Sequence, residues 1–299
     1  MQIMPYRPLT ASPFRQDEEY REIAPRTPEL AKYICCFWGS GQPFLKKGAV
    51  AGLVTPDTCA DIIYWIDYTS NTVHGGFCGI NDVSFSETDN SRDGHFVSLF
   101  AIRFYAWSAY VFSEDSMRGT LNDYVDVRSR FQWLDGFLRP QLFEKRSLEE
   151  WAEIAEALLL KQLSGARHSA VIDDAAAQIL LHKGAISASA LAEECFISGR
   201  QLERLFHEYI GITPKKLCNL VRYQFIWNDV LRNPAFSVMD AVWQYGYTDQ
   251  SHLLREFRRY HTMDIRTARN YAYHVGNIQY PQGESCYDEK KMRKGRDIR

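Results

Sequence analysis

The chain has 299 residues, is 45% hydrophobic, and carries 35 Lys+Arg against 37 Asp+Glu for a net charge of −2. That length predicts about two domains, and the apolar content excludes a chain that is mainly disordered. No run of about 18 apolar residues occurs, which excludes a membrane-spanning helix.

The near-neutral total hides an asymmetry. Residues 1–165 hold 16 Lys+Arg and 22 Asp+Glu, a net of −6, whereas residues 166–299 hold the remaining 19 and 15, a net of +4. An acidic front and a basic back suggest two jobs, with an anionic partner for the back. A surplus this small also suits an ordinary solvated surface. The opening stretch MQIMPYRPLTASPF lacks the apolar core of a signal peptide. The seven cysteines follow no regular framework. The expected setting is the cytoplasm, with reduced thiols.

Residues 1 to about 145 read as mostly β. VSLFAIRFY (97–105) and DIIYWIDY (61–68) are rich in β-branched and aromatic residues, and Gly, Pro, Asn and Asp punctuate the segments around them. Alternate strand positions point some of the aromatics inward. Trp38, Asp61, Tyr64, Trp65 and Arg103 are the candidates for lining a small-molecule pocket, with an ordinary core as the alternative. Adjacent Cys35 and Cys36 suit either a redox pair or core packing.

Catalysis finds little support here. Cys59, Cys78, His74 and His95 fit no metal-ligand spacing. Asp57, Asp61 and Asp67 lack a His or Lys motif that would set up acid–base work. No Gly-rich phosphate loop, G-x-S-x-G or H-E-x-x-H occurs, so no cofactor and no enzyme activity is expected.

At 147–163 the pattern switches to helical period, opened by a capping box of Ser147 and Glu150. Its apolar residues Trp151, Ile154, Leu158 and Leu159 suit either dimerisation or packing on the β region. SGARHS (164–169) is a break, and almost everything from Ala170 onward reads as helix. The polar tail from about Asn277 is expected to be disordered.

The most informative feature is an internal repeat. SASALAEECFIS (187–198) aligns with SVMDAVWQYGYT (237–248) at an offset of 50. One extra residue in the turn makes the offset 51, and Leu202, Arg204, Phe206 and Tyr209 then fall on Leu253, Arg255, Phe257 and Tyr260. Each copy is a short helix, a tight turn and a second helix, the outline of a helix-turn-helix. Gly246 suits the second turn, and Thr248 or Asp249 suits the cap that follows. Between the copies, 214–233 reads as a spacer helix with Pro214 in its first turn and Leu217, Leu220, Val221, Ile226, Val230 and Leu231 buried. Its length of roughly 27 Å at 1.5 Å per residue is compatible with two recognition helices about one DNA turn, or 34 Å, apart.

In a helix-turn-helix the second helix enters the major groove. In the first copy Arg200, Gln201, Glu203 and Arg204 lie off the apolar stripe and are the base-contact candidates. Arg200 and Arg204 suit guanine, and Glu203 suits either cytosine or repulsion of phosphate. In the second copy the candidates are Gln250, Ser251, Leu254 and Arg255, with Arg255 foremost because it matches Arg204. Lys215, Lys216, Arg258 and Arg259 are candidates for phosphate. His252 is expected to pack at the helix start. The plain alternative, arginines that only solubilise a helix, explains one copy better than two at this spacing.

The stretch LAEECFISGRQLERLFHEYIGITPKKL, the Gly211-x-x-Pro214 hinge with Arg222, and the block Gly246-Tyr247-x-Asp249-Gln250-Ser251-His252 resemble the AraC/XylS family of bacterial transcription regulators over about residues 170–270. Phe196, Thr262 and Ile265 depart from the family's usual turn residues, which are small or polar at the first position, Gly at the second and Pro at the third. More weakly, residues 21–40, 54–67 and 102–112 resemble the sensor domains found ahead of such modules.

The resemblance implies an α+β protein: a β-rich, cupin-like or related domain at 1–145, a helix and linker at 146–168, an all-α double helix-turn-helix domain at 169–275, and a tail at 276–299. It implies an effector-responsive, sequence-specific DNA-binding regulator. The partners are double-stranded DNA, with RNA polymerase, a small-molecule effector and a second copy of the chain as further possibilities, and no membrane. Two alternatives stay open: a DNA-directed enzyme or repair protein using the same module, and a DNA-binding protein whose N-terminal domain only dimerises.

Overall fold

The computed structural model describes residues 6–13, 20–47, 52–87, 92–145 and 147–273. The tail expected from Asn277 lies outside the described residues. The N-terminal region is built on a seven-stranded antiparallel sheet. Its path runs β1 (Arg21–Ile23), β2 (Ile34–Gly39), β8 (Phe96–Tyr105), β5 (Cys59–Asp67), β6 (Thr72–Cys78) and β9 (Tyr124–Asp126), with β3 (Phe44–Leu45) also paired to β8. A separate ribbon joins β4 (Gly52–Val54) to β7 (Phe85–Glu87).

Alternation along the strands divides the sheet into two faces. On β5, Ile62, Tyr64 and Ile66 are wholly buried on one face. Phe100 and Phe104 of β8 join them there. Phe100 meets Trp151 of α2 (Leu148–Leu163) at 5.8 Å, and Phe104 stacks on Phe131 of α1 (Arg128–Leu138) at 6.0 Å. The opposite face carries Asp61, Arg103 and Trp38.

Helix α1 falls inside the region whose sequence reads as mostly β. Phe131 breaks its helical geometry and Gly136 weakens its propensity, so RSRFQWLDGFL gives no clean period. Helix α2 begins where expected, with the Ser147 hydroxyl accepting from the Glu150 amide. Trp151 and Leu159 are fully buried, so these two apolar positions pack on the β region and are not free for dimerisation. Buried Glu156 fastens α2 to the 26–27 turn: it accepts from the Arg26 amide at 2.8 Å, the Thr27 amide at 3.2 Å and the Thr27 hydroxyl at 2.7 Å. Glu156→Ala strands all three donors and should cost about 2–3 kcal/mol, read as a lower urea midpoint with an unchanged slope.

The C-terminal region is helical: α3 (Ala170–Leu181), α4 (Ala188–Glu194), α5 (Gly199–Tyr209), α6 (Pro214–Arg232), α7 (Val238–Gln244), α8 (Gln250–His261) and α9 (Ile265–Tyr273). Ser169, Ser187, Ser198, Thr213, Ser237 and Asp249 each accept from an amide of the first turn that follows. Such caps hold helices too short to persist alone. One continuous core spans both regions, from Leu9 to Ala272. Among the described residues no helix is long and apolar enough to cross a membrane.

Candidate nucleic-acid interface

The repeat read in the sequence is a repeat of structure. Helices α4 and α5 form one helix-turn-helix, and α7 and α8 form the other. Phe196 and Gly246 occupy equivalent turn positions and share a left-handed backbone, with φ of 55° and 66°. Gly211 and Thr262 are likewise equivalent, at φ 85° and 61°. Both departures, Phe196 and Thr262, thus keep the turn geometry that glycine would adopt freely. Asp264 caps α9 as Thr213 caps α6, accepting from the Thr267 amide at 3.0 Å. Ile265 stands in the first helical position that Pro214 takes in the other copy.

Burial separates the scaffold from the exposed surface. Leu202 and Phe206 on α5, and Leu253, Phe257 and Tyr260 on α8, are buried. Arg200, Gln201, Glu203 and Arg204 are exposed on α5, and Gln250, Ser251, Leu254 and Arg255 on α8. Lys215, Arg258 and Arg259 are exposed as well. Lys216 departs from the sequence expectation. Its ammonium is ion-paired with Asp82 of the N-terminal region, so this lysine is not free for phosphate.

The residues most specific to the motif hold the second unit on the spacer. Arg222 on α6 pairs with Glu256 at 3.2 Å and lies over the Tyr247 ring at 4.1 Å. The Tyr247 hydroxyl donates to Glu256 as well. His252 is half-buried, its ring edge-on to Tyr247 at 5.1 Å. At the far end of α8, fully buried His261 is 2.8 Å from the Tyr223 hydroxyl of α6. Burial lowers its pKa to about 3, so the ring is neutral near pH 7.

The N-terminal region grips the same spacer, through residues that the sequence reading missed. Gln224 of α6 accepts from the Leu9 amide at 2.7 Å and donates to the carbonyls of Leu9 at 3.0 Å and Pro56 at 2.7 Å. The Trp227 indole donates to the Thr10 carbonyl at 2.9 Å. Next to the hinge, the Met117 amide donates to the Glu208 carbonyl at 2.9 Å. A Cβ on Gly211 would stand 2.5 Å from the Met117 carbonyl oxygen, so the close approach needs glycine.

Of the five ligand-pocket candidates, three meet. Asp61 accepts from the Trp38 indole at 2.8 Å and from Arg103 Nε at 2.9 Å. The guanidinium also lies 5.4 Å over the Trp38 ring and 3.5 Å from Asp57. Burial raises Asp57 to about 6, against the opposing pull of Arg103. The other two candidates stand apart. Tyr64 faces the helix-covered side of the sheet, because it is odd in register to Asp61. Trp65 shares the face of Asp61 but lies four residues, or roughly 13 Å, along the strand, under the Lys46 ammonium and the Arg92 guanidinium. Among the described residues no group of three or more His, Cys, Asp or Glu is placed to hold a metal ion.

Two helix-turn-helix units on one spacer helix, each presenting an exposed polar face on its second helix, define a DNA-binding module. Residues 191–271 match a helix-turn-helix domain family. The chain thus joins a β-rich N-terminal region to a helical C-terminal region that holds a helix-turn-helix domain.

Solved structures similar to the chain include a transcriptional regulator with an AraC-type DNA-binding domain from Chromobacterium violaceum. It is 22% identical with a TM-score of 0.32, over 36% of this chain and 95% of that one. The C-terminal domain of AraT, a response regulator from Geobacillus stearothermophilus, is 17% identical with a TM-score of 0.34, over 39% and 97%. ToxT from Vibrio cholerae is 9% identical with a TM-score of 0.39, over 81% and 99%. No curated protein matches the chain.

Proposed function

We propose that α5 and α8 are recognition helices that enter neighbouring major grooves and read base edges, while the N-terminal region governs how they are presented. The observation that carries this reading is the paired exposure of Arg204 and Arg255 at equivalent positions of the repeat. Each stands beside a buried Leu and Phe that fix the helix on its scaffold. A guanidinium presented in this way suits the O6 and N7 acceptors of guanine. Lys215, Arg258 and Arg259 lie toward phosphate, and base-independent affinity comes from them.

An effector role for the N-terminal region is supported by its contacts with α6. A ligand that favours one arrangement of these contacts shifts the population of DNA-competent protein. The Trp38–Asp61–Arg103 cluster is the candidate receiving site, since it combines an aromatic surface with fixed charges. A productive arrangement on DNA also offers a surface to RNA polymerase. The absence of a catalytic motif in the sequence weighs against the enzyme reading.

The test is fluorescence anisotropy of the full-length protein on duplex DNA from its own upstream region, with an unrelated duplex as control, over a range of salt. Three phosphate contacts give a log–log salt slope of about −3. Specific affinity above the control with such a slope supports the reading. Equal affinity for both duplexes at every salt concentration refutes sequence-specific recognition there.

A further inference from the structure

The turn between β6 and β7 reaches the DNA-binding region and sets one carboxylate beside its hinge. That carboxylate is held firmly from behind. A Cβ on Gly79 would stand 1.9 Å from the Thr120 carbonyl oxygen, so the turn lies directly against the segment 116–122. Asn122 closes the joint. Its amide donates to the Ile80 carbonyl at 2.9 Å, its side-chain oxygen accepts from the Asp82 amide at 2.8 Å, and its side-chain nitrogen donates to Asp82 Oδ1 at 2.6 Å. Asn122 does this at φ 53°, a left-handed backbone in which asparagine is enriched. One carboxylate oxygen is thus taken within the N-terminal region. The other, Oδ2, receives the Lys216 ammonium.

This contact lies where the two helix-turn-helix units meet. Lys216 is in the first turn of α6. Two residues beyond Asp82, the Ser84 hydroxyl donates to the Tyr260 carbonyl near the end of α8. At the end of α5, the Met117 amide and the Ser116 hydroxyl donate to the Glu208 carbonyl at 2.9 Å and 3.2 Å, and Arg118 pairs with the Glu208 carboxylate at 3.2 Å. The same two segments of the N-terminal region therefore touch α5, α6 and α8. Exposure is unequal across the ion pair: the Asp82 side chain is 8% exposed and that of Lys216 30%. The carboxylate is anchored, whereas the ammonium sits on a flexible four-carbon stem with a route to solvent. Burial pushes the Asp82 carboxyl up, but its bonds to Lys216 and Asn122 outweigh this and hold it below the ordinary carboxylate value.

We propose that Asp82 stands in for a DNA phosphate on Lys216, and that this ion pair is an autoinhibitory catch. While it is closed, one phosphate contact is withheld from DNA. When it opens, Lys216 joins Lys215, Arg258 and Arg259 on the backbone. This deepens the reading of α5 and α8 as recognition helices and rests on it. Opening exchanges one anion for another, so the ammonium is paired in both states and avoids the cost of a stranded charge. A modest bias from the N-terminal region is then enough to shift the population. The control is electrostatic and acts on affinity for any duplex, because a phosphate contact carries no sequence information.

The experiment is a salt titration of binding to the unrelated duplex by the full-length wild type, Asp82→Asn, Lys216→Met and the double variant. The asparagine side chain keeps an oxygen for Asn122 and removes the charge. Asp82→Asn should bind more tightly at low salt and steepen the log–log slope by about 0.9. Between about 50 and 200 mM salt its affinity should then fall about 3.5-fold further than that of the wild type. Lys216→Met should leave the wild-type slope unchanged, and in the double variant it should abolish the gain. A gain that persists in the double variant reflects only the loss of a negative charge near DNA, and overturns the catch. A shallower slope in Lys216→Met alone also overturns it, since Lys216 would then reach DNA with Asp82 in place; this measurement stands even where Asp82→Asn fails to fold. Equal slopes in all four proteins overturn the catch and leave the interface standing. No binding of any of them to either duplex, even at low salt, sinks the interface and the catch with it.

Discussion

Replacing Arg204 and Arg255 together with alanine should lower affinity for the specific duplex by roughly 30-fold to 20,000-fold. Loss of one base-reading arginine costs about 1–3 kcal/mol. The two sit on different helices, α5 and α8, share no hydrogen-bond or ion-pair partner among the described residues and should act additively. Both side chains are exposed, so the folded protein should survive the change with its melting temperature intact. The unrelated duplex supplies the discriminating readout. Base reading predicts that affinity for it falls far less, because non-specific binding draws on the remaining cations. A loss of the same size on both duplexes would reassign the two arginines to phosphate, and no loss on either would remove them from the interface. Arg232→Ala, an exposed change at the end of α6, is the neutral control.

The parts of this interface that were legible in the sequence were those set by local rules. The 50- and 51-residue offsets, the Leu and Phe spacing and the polar cap at Asp249 all follow from helical period and capping chemistry. Even the departures at Phe196 and Thr262 kept their backbone geometry, since the surrounding helices dictate the turn. What stayed hidden depends on contacts distant along the chain. Lys216 reads as one more basic residue in a first turn, and only the fold brings Asp82 to it, 134 residues away. Gln224 sits among apolar spacer residues and reads as an exception, until the carbonyls of Leu9 and Pro56 supply its partners. The β2–β8 register slips between Ile34 and Cys36, which changes the face a side chain meets, and a period-two pattern carries no mark of a single inserted residue. For the same reason five aromatic and charged candidates read as one pocket, when strand alternation divides Tyr64 from Asp61.

The second large effect concerns acid. His261 joins α8 to the spacer, its ring stacked on Phe257 at 5.1 Å and 4.4 Å from Trp227. Nδ1 meets the Tyr223 hydroxyl, while buried Nε2 has no hydrogen-bond partner among the described residues. Burial holds its pKa near 3 in the folded state, against about 6.5 in the unfolded chain. Below pH 6.5 the unfolded chain therefore takes up a proton that the folded protein refuses. Stability falls by about 1.4 kcal/mol per pH unit, or about 2 kcal/mol by pH 5. Asp57 acts in the opposite sense. Its carboxyl is raised to about 6 by burial, so the folded state takes up the proton first and gains stability as pH falls from 6 toward the unfolded value of about 3.8. The two slopes nearly cancel between pH 6 and 4, and the wild-type profile alone conceals both. His261→Phe separates them. At pH 7.5 the variant should be less stable by about 1–3 kcal/mol, because the Tyr223 hydroxyl loses its partner. That deficit should shrink by about 2 kcal/mol on going to pH 5, as measured by urea unfolding at each pH. A deficit constant with pH would mean that His261 accepts a proton without leaving the fold. A shrinking one places the acid-labile joint between α6 and α8.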